Sequence, residues 1–495
     1  MDIKYKKRVK INDLNALVKK LAAIVGDEWT STEEADLVAY SKDYQLITNR
    51  WIMEGSLPAK AHVIVWPKTE DEISEILKLA NEEQIPVIPY GEGSGVVGAA
   101  IPVYGGIMLD MKRMNQMLDV NGMNLTVTAQ GGMNGKLLER ELEKKSFLIG
   151  HVPQSFHTST VGGWIAHRAA GQFSTKYGKI EDIVLSMRVV LPTGEIIDTK
   201  LYPRASDGPQ MERLFLSSEG TLGIVTQATM KIWPMPEKRE GVAYAFDTMK
   251  QTLDATRIIQ QRQVNPAVIR IYDHVETERH FYKEKKAKKR AMVIFICEGT
   301  EKIVDFEVSE VKKVCEECSG IDCGQDPIDH WFETRFVVKE ASEFGPKELI
   351  FDTIEVSCMW DQAEELYDNV VEEMKNLPGN VLISGHASHF YPNGVCFYFT
   401  FGGVPQDGQT PNEFYRKSWD AAMIGTLKAG GSISHHHGVG LSRTRWMKEE
   451  HGGMLTMMKK IKHALDPNDI MNPGKLYAEA PMEEDQEMKM QSLED

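Results

Sequence analysis

The chain of 495 residues has no run approaching the roughly 20 uninterrupted apolar residues that a membrane-spanning helix needs. Its opening shows no apolar core followed by a small-residue cleavage site, and the sequence reads as cytoplasmic. A basic surplus is also missing: Lys+Arg 57 against Asp+Glu 72 leaves a net charge of −15, the wrong sign for a general nucleic-acid binder. Cysteine is scarce, six in all, which fits a reducing compartment and implies no disulfide framework. Three of the six fall together as Cys315, Cys318 and Cys323, but Cys297, Cys358 and Cys396 have no ligand-like spacing to complete a four-thiolate cluster. They read as ordinary thiols near a helix end, and no metal centre is assigned. What is present, 42% hydrophobic and 26% charged residues, suffices to bury a large core in two or three lobes.

The basic run Lys4, Lys6, Lys7, Arg8 and Lys10 precedes a helical spacing of Leu14, Leu17, Val18 and Leu21. Acidic residues follow at Asp27, Glu28, Glu33 and Glu34, which favours a solvated helix face over peripheral contact with an anionic membrane. A strand from His62 to Pro67, a helix from Thr69 to Glu83 and a strand at Val87-Ile88-Pro89 form a β-α-β unit. It runs into Tyr90-Gly91-Glu92-Gly93-Ser94-Gly95, with Gly98 beyond, where glycines let backbone N–H groups approach an anion. A dinucleotide fingerprint would continue into a helix, whereas here a strand from Gly106 to Asp110 follows, and the P-loop pattern is absent too.

Two more small-residue loops follow, Pro153 to Trp164 and Ser217 to Val225. Three such loops in one stretch point to a large phosphate-bearing cofactor wrapped by backbone. Beyond Pro236 the texture changes to longer strands and charged helices, a second domain running to about Gly430. The run Gly431 to Gly440 then carries His435, His436 and His437 between glycines. With His386 and His389 these offer either a base for a hydroxyl proton or ligands for a divalent metal. Tyr398 sits in an aromatic strand, where packing alone explains it. Arg270 lies between apolar strand residues and needs an anion, either Asp273 or a substrate carboxylate or phosphate.

These loops, with the ending Asp466 to Leu476, resemble the flavin-dependent family named after vanillyl-alcohol oxidase and p-cresol methylhydroxylase, from about Thr30 to Leu476. The resemblance implies an α+β fold: an N-terminal helical segment over 1–55, a two-subdomain FAD-binding domain over 56–236, and an inserted α/β cap domain over 237–430. A C-terminal return segment over 431–477 would complete the active site, leaving a disordered tail over 478–495. It places FAD against Tyr90, Gly91, Glu92, Gly93, Ser94, Gly95 and Gly98, against Pro153, Ser155, Ser159, Thr160, Gly162, Gly163 and Arg168, and near Glu219 and Ile224. Relatives with covalent flavin carry His or Cys in these loops; Ser94 and small polar residues here imply noncovalent FAD.

Within the family, the triple histidine and the block Ser159 to Trp164 are most similar to alkylglycerone-phosphate synthase, and less so to D-2-hydroxy-acid dehydrogenases. Tyr398 matches the proposed acid/base tyrosine of the synthases, and Arg270 a shared arginine. Two synthase arginines are missing: one position falls on Ala341, with Lys339 the nearest cation, and another holds His386. A phosphodianion wants bidentate guanidinium contacts, so the expectation is an FAD-dependent dehydrogenase of a small 2-hydroxy acid. Tyr398, His436, His437 and His386 are its candidate catalytic residues, and Arg270, Lys339, His389 and His435 its substrate-binding ones. A separate electron-acceptor protein or quinone and a homodimer are expected partners. The alternatives are the redox-neutral synthase and a flavin-bound electron-transfer subunit without its own substrate.

Overall fold

Val63–Val65 and Val87–Tyr90 flank the helix Glu70–Glu83, and both pair in parallel with Ile107–Asp110. Thr69 starts that helix by accepting a hydrogen bond from the Glu72 N–H, and Ile73, Ile76 and Leu77 on one face pack onto the sheet. This computed structural model describes residues 9–53, 55, 57, 59–337 and 349–477. Lys4, Lys6, Lys7, Arg8, Lys339, Ala341 and the 478–495 tail lie outside the described residues.

The N-terminal segment supplies more than helices, since Thr30–Ser31 pairs antiparallel with Val63–Val65 as the edge of the four-stranded sheet. The helix Leu14–Val25, capped by Asp13, buries Leu17, Leu21 and Val25 in the same core as Ile73 and Ile76. Each such side chain is worth roughly 1.5–3 kcal/mol, so the apolar stripe is spent inside the protein rather than on a membrane. Among the described residues, no helix is long and apolar enough to cross one.

A second sheet of five antiparallel strands runs Met117–Asn121, Thr126–Gln130, Ile224–Lys231, Val184–Val190, Ile196–Asp198. The helices Gly135–Glu143 and Val161–His167 share its core.

The third sheet has seven strands in the order Ile321–Asp322, Lys238–Phe246, Ala291–Gly299, Val268–Tyr272, Asn380–Tyr391, Gly394–Gly403, Ile350–Met359. Alternation gives it two faces. Val242, Tyr244, Phe246, Ile269, Ile271, Phe397, Phe399 and Phe401 pack in one core with the helices Met249–Gln261, Glu301–Glu317, Ala363–Asn376 and Pro411–Lys428. Ala243, Ala245, Val268 and Tyr272 pack in the other, with the second sheet. Every second residue of the strands Val268–Tyr272, Asn380–Tyr391, Gly394–Gly403 and Ile350–Met359 therefore turns toward the cofactor-loop side. Arg270, His386, Tyr398 and Glu355 take those positions.

One break in the alternation matters. The register slips between Ser388 and Phe390, where His389 adopts φ 58°, so His389 leaves the helix side and Phe390 returns to it. A left-handed histidine costs of order 1–3 kcal/mol, which the surrounding sheet over-determines. Cys315 and Cys323 fall in different cores, so the cysteine group does not converge.

After the helix Pro411–Lys428, Ser432 bridges Ser357 and the chain turns back toward the first sheet, where Met471 bridges Val87. Asn472 Nδ2 donates to the carbonyls of Ala99 (2.9 Å) and Glu219 (2.7 Å), tying the end of the chain to two of the glycine loops.

Candidate active site

Strand register sets four side chains in a row: Glu355 is opposite Tyr398, Tyr398 opposite His386, and His386 opposite Tyr272. The Tyr398 and His386 rings stack at 4.5 Å with 12° between planes. Arg270 Nη2 lies 3.1 Å from His386 Nε2. A guanidinium only donates, so that nitrogen accepts and the proton of His386 sits on Nδ1, 3.1 Å from Glu276 Oε2. Burial would raise the Glu276 carboxyl, but His386 and Arg279 outweigh it and hold it below the usual carboxylate range. Asp273 is not the partner of Arg270: it caps the helix His274–His280, accepting from the Glu276 N–H at 2.8 Å and from Tyr367 Oη at 2.9 Å. The Nε of Arg270 is buried with no hydrogen-bond partner among the described residues.

The histidine loop is organised from below by Glu355, whose side chain is fully out of solvent. Its carboxylate accepts from the backbone N–H of His435 (2.7 Å), His436 (3.3 Å) and His437 (2.8 Å) and from Ser434 Oγ (3.1 Å). Arg443 Nη1 and Nη2 brace the same loop through the carbonyls of Gly438 (2.7 Å) and Glu355 (2.8 Å). So fixed, the loop presents His436 Nε2 at 3.0 Å from Tyr398 Oη, while His389 Nε2 reaches the same oxygen at 2.8 Å. Burial drives His389, His435 and His436 well below the ordinary imidazole value and His437 down to about 4, so all four are neutral at pH 7. Burial raises the Tyr398 phenol well above 10.

The cofactor loops converge on the same region. Residues 91–96 are only partly buried between buried Tyr90 and buried 97–99, as a ligand-facing loop would be. A Cβ on Gly91 would stand 2.5 Å from Thr160 Oγ1, so the first and second loops touch. A Cβ on Gly438 would stand 2.5 Å from Glu219 Oε1 and 3.1 Å from His167 Nδ1, which joins the third loop to the histidine loop. Glu219 fastens that junction by accepting from the N–H groups of Val439 (2.5 Å) and Gly440 (3.1 Å). Three of the expected glycine donors are already engaged, Gly98 N–H by Asp43 Oδ2 (2.8 Å), Gly162 N–H by the Gly131 carbonyl (2.7 Å) and Gly163 N–H by Thr160 Oγ1 (3.3 Å), so the partly buried, glycine-rich stretch 91–95 is the backbone that fits an FAD pyrophosphate.

The geometry brings together Tyr398, His386, His389, His435, His436, His437 and Arg270 of the expected site, and Lys339 lies outside the described residues. In the loops, Ser159 Oγ is taken by Trp164 Nε1 (2.9 Å), Thr160 caps the helix Val161–His167, and Arg168 pairs with Glu181 (2.9 Å). The Ile224 side chain is in the core of the first sheet, which leaves only its backbone for a ligand. Sequence reasoning missed Glu355 and Glu276; the available signal in the first case was a carboxylate set between Ile354 and Val356 in an apolar strand. Glu355, Cys396, His435 and His436 also present ligand-type atoms within 4.8 Å of one another, a set that excludes His386. Both oxygens of Glu355 already accept backbone hydrogen bonds, which disfavours a cation there.

Residues 61–200 match the family described as FAD binding domain, and residues 235–476 match the FAD linked oxidases, C-terminal domain. An alkyldihydroxyacetonephosphate synthase of Dictyostelium discoideum is 32% identical over 460 residues, covering 85% of this chain and 74% of the relative. Glycolate oxidase subunit GlcD of Bacillus subtilis is 28% identical over 431 residues, covering 84% and 88% respectively. Among solved structures, an alkyldihydroxyacetonephosphate synthase is similar with a TM-score of 0.78 at 27% identity, covering 96% of this chain and 88% of that one. Substrate-bound p-cresol methylhydroxylase gives 0.75 at 17% identity, covering 96% and 99%, a likeness of fold alone.

Proposed function

Since the chain belongs to the FAD-linked oxidases, with an α+β fold of the p-cresol methylhydroxylase type, we propose that it dehydrogenates a small 2-hydroxy acid such as D-lactate or glycolate. When bound, FAD supplies the two-electron acceptor, and an acceptor protein or a quinone would take the electrons onward. The observation that carries the reading is the pairing of one guanidinium with one shared phenol. Arg270, in contact with His386 and with its Nε unpaired, suits a single carboxylate. Tyr398, held between His389 and His436, suits the hydroxyl on the adjacent carbon. As Tyr398 receives the substrate proton, its own passes to His436 Nε2. His386 keeps the Tyr398 ring in place by stacking, and His437, 5.7 Å from that ring, closes the side of the chamber.

A second reading, redox-neutral ether-lipid synthesis, is favoured by the 32% identity to the Dictyostelium synthase. It would ask the site to hold a phosphodianion, for which Arg270 alone is a thin complement. The deciding experiment is an anaerobic titration of the flavin spectrum with D- and L-2-hydroxy acids and with an acylated dihydroxyacetone phosphate. Bleaching by a hydroxy acid supports the first reading. Response to the acyl phosphate alone, with turnover on adding a fatty alcohol and no acceptor, overturns it.

A further inference from the structure

Tyr398 is one link in a longer chain of hydrogen bonds, of which the reaction as described uses only the step to His436. Ser174 Oγ lies 2.7 Å from His389 Nδ1, and His389 Nε2 lies 2.8 Å from Tyr398 Oη. Tyr398 Oη then lies 3.0 Å from His436 Nε2, His436 Nδ1 lies 2.9 Å from His435 Nδ1, and His435 Nε2 lies 2.7 Å from Tyr391 Oη. Each hydroxyl has one proton and each neutral imidazole has one N–H, so the chain must be polarised in a single direction. If Tyr398 donates to His436, then His436 carries its proton on Nδ1, His435 carries its own on Nε2 and Tyr391 accepts. Behind Tyr398, His389 then donates from Nε2 and Ser174 donates to Nδ1. No link conflicts with another.

The two ends differ. Ser174 is buried at 3% exposure, whereas Tyr391 ends its strand partly exposed beside the charges of Arg168, Glu181 and Asp182. We propose that His435 and Tyr391 are a proton conduit carrying the substrate hydroxyl proton from Tyr398 to the surface. As the substrate proton reaches Tyr398 Oη, the Tyr398 proton moves to His436 Nε2. The His436 Nδ1 proton moves to His435 Nδ1, the His435 Nε2 proton to Tyr391 Oη, and the Tyr391 proton to water. One proton enters, one leaves, and every side chain ends neutral with its tautomer reversed. Burial keeps the imidazoles from storing the proton as a cation, which would break the relay. The conduit rests on the hydroxy-acid reading for its proton source, but its arrangement does not.

The test has two arms on the FAD-loaded enzyme, with Tyr391→Phe as the variant because the Tyr391 hydroxyl bonds to His435 and not to Arg270 or Tyr398. Nitrogen-15 and downfield proton spectra of histidine-labelled protein should show His436 protonated on Nδ1 and His435 on Nε2, an order that Tyr391→Phe removes. Stopped-flow reduction by D-lactate should slow on the order of tenfold in Tyr391→Phe, with a larger solvent deuterium isotope effect. Wild-type speed and isotope effect in the variant overturn the conduit while leaving the dehydrogenase standing. If no hydroxy acid reduces the wild-type flavin, the functional reading fails, and the first arm decides alone. A cationic His435–His436 pair, or protons on Nε2 of both, then overturns the conduit.

Discussion

Glu355 and Arg443 meet at 3.5 Å with neither side chain exposed, and the histidine loop hangs on that pair. The carboxylate collects three consecutive backbone N–H groups, while the guanidinium takes two carbonyls. Removing one charge leaves the other buried and unpaired, which costs about 3–5 kcal/mol. Glu355→Gln should therefore lower the unfolding midpoint and release His435 to His437 from their positions. Turnover should collapse while FAD is retained, because Glu219 keeps its own hold on the N–H groups of Val439 and Gly440 where the histidine loop meets the third cofactor loop. An unfolding curve and turnover equal to those of the wild type would dissociate the pair from the site.

Tyr398→Phe separates packing from chemistry. The ring remains to stack on His386, but His389 and His436 lose a shared oxygen, at a cost of about 1–3 kcal/mol. Turnover should fall by about 10²–10⁴, the usual range for a lost acid/base group, with the flavin spectrum unchanged. Unchanged turnover would return Tyr398 to the aromatic core.

Much of this was legible from residue order alone. The glycine loops and the run His435 to His437 each carry a local signal, and the Thr69-capped helix forms where its residues anticipate it. The pairings were not legible. Tyr398 meets Glu355 and His386 through the register of strands far apart in sequence, and no local pattern encodes register. His389 reaches Tyr398 only because of a bulge at a non-glycine residue, where composition gives no warning. Asp273 was one of two anions open to Arg270, beside a substrate carboxylate or phosphate, but a helix starting at His274 claimed it as a cap.

The pH profile should be flat across neutrality. A histidine pushed down by burial is neutral above its folded value and gains a proton only below it, so loss of rate belongs on the acid side. His437 titrates at about 4 and His389, His435 and His436 well below the ordinary value, while burial keeps the Tyr398 proton in place well above pH 10. With FAD saturating, kcat/KM for a hydroxy acid should be constant between about pH 5 and 9. An inflection near 6.5 would reveal a solvated histidine in the rate-determining step, contrary to the buried relay.

Arg270→Lys tests substrate recognition apart from proton transfer. The guanidinium holds His386 Nε2 at 3.1 Å with Nη2 and leaves Nε available, so it can serve histidine and carboxylate together. An ammonium is a point charge that cannot fork between both. Losing one charge-assisted hydrogen bond of about 1.5–3 kcal/mol should raise KM for a 2-hydroxy acid by about 10–100-fold. The corresponding alcohol without a carboxylate should be affected far less, because it never used that contact. A fall in kcat with KM unchanged would mean that Arg270 acts through His386 and Tyr398, and the carboxylate would then have to be held elsewhere.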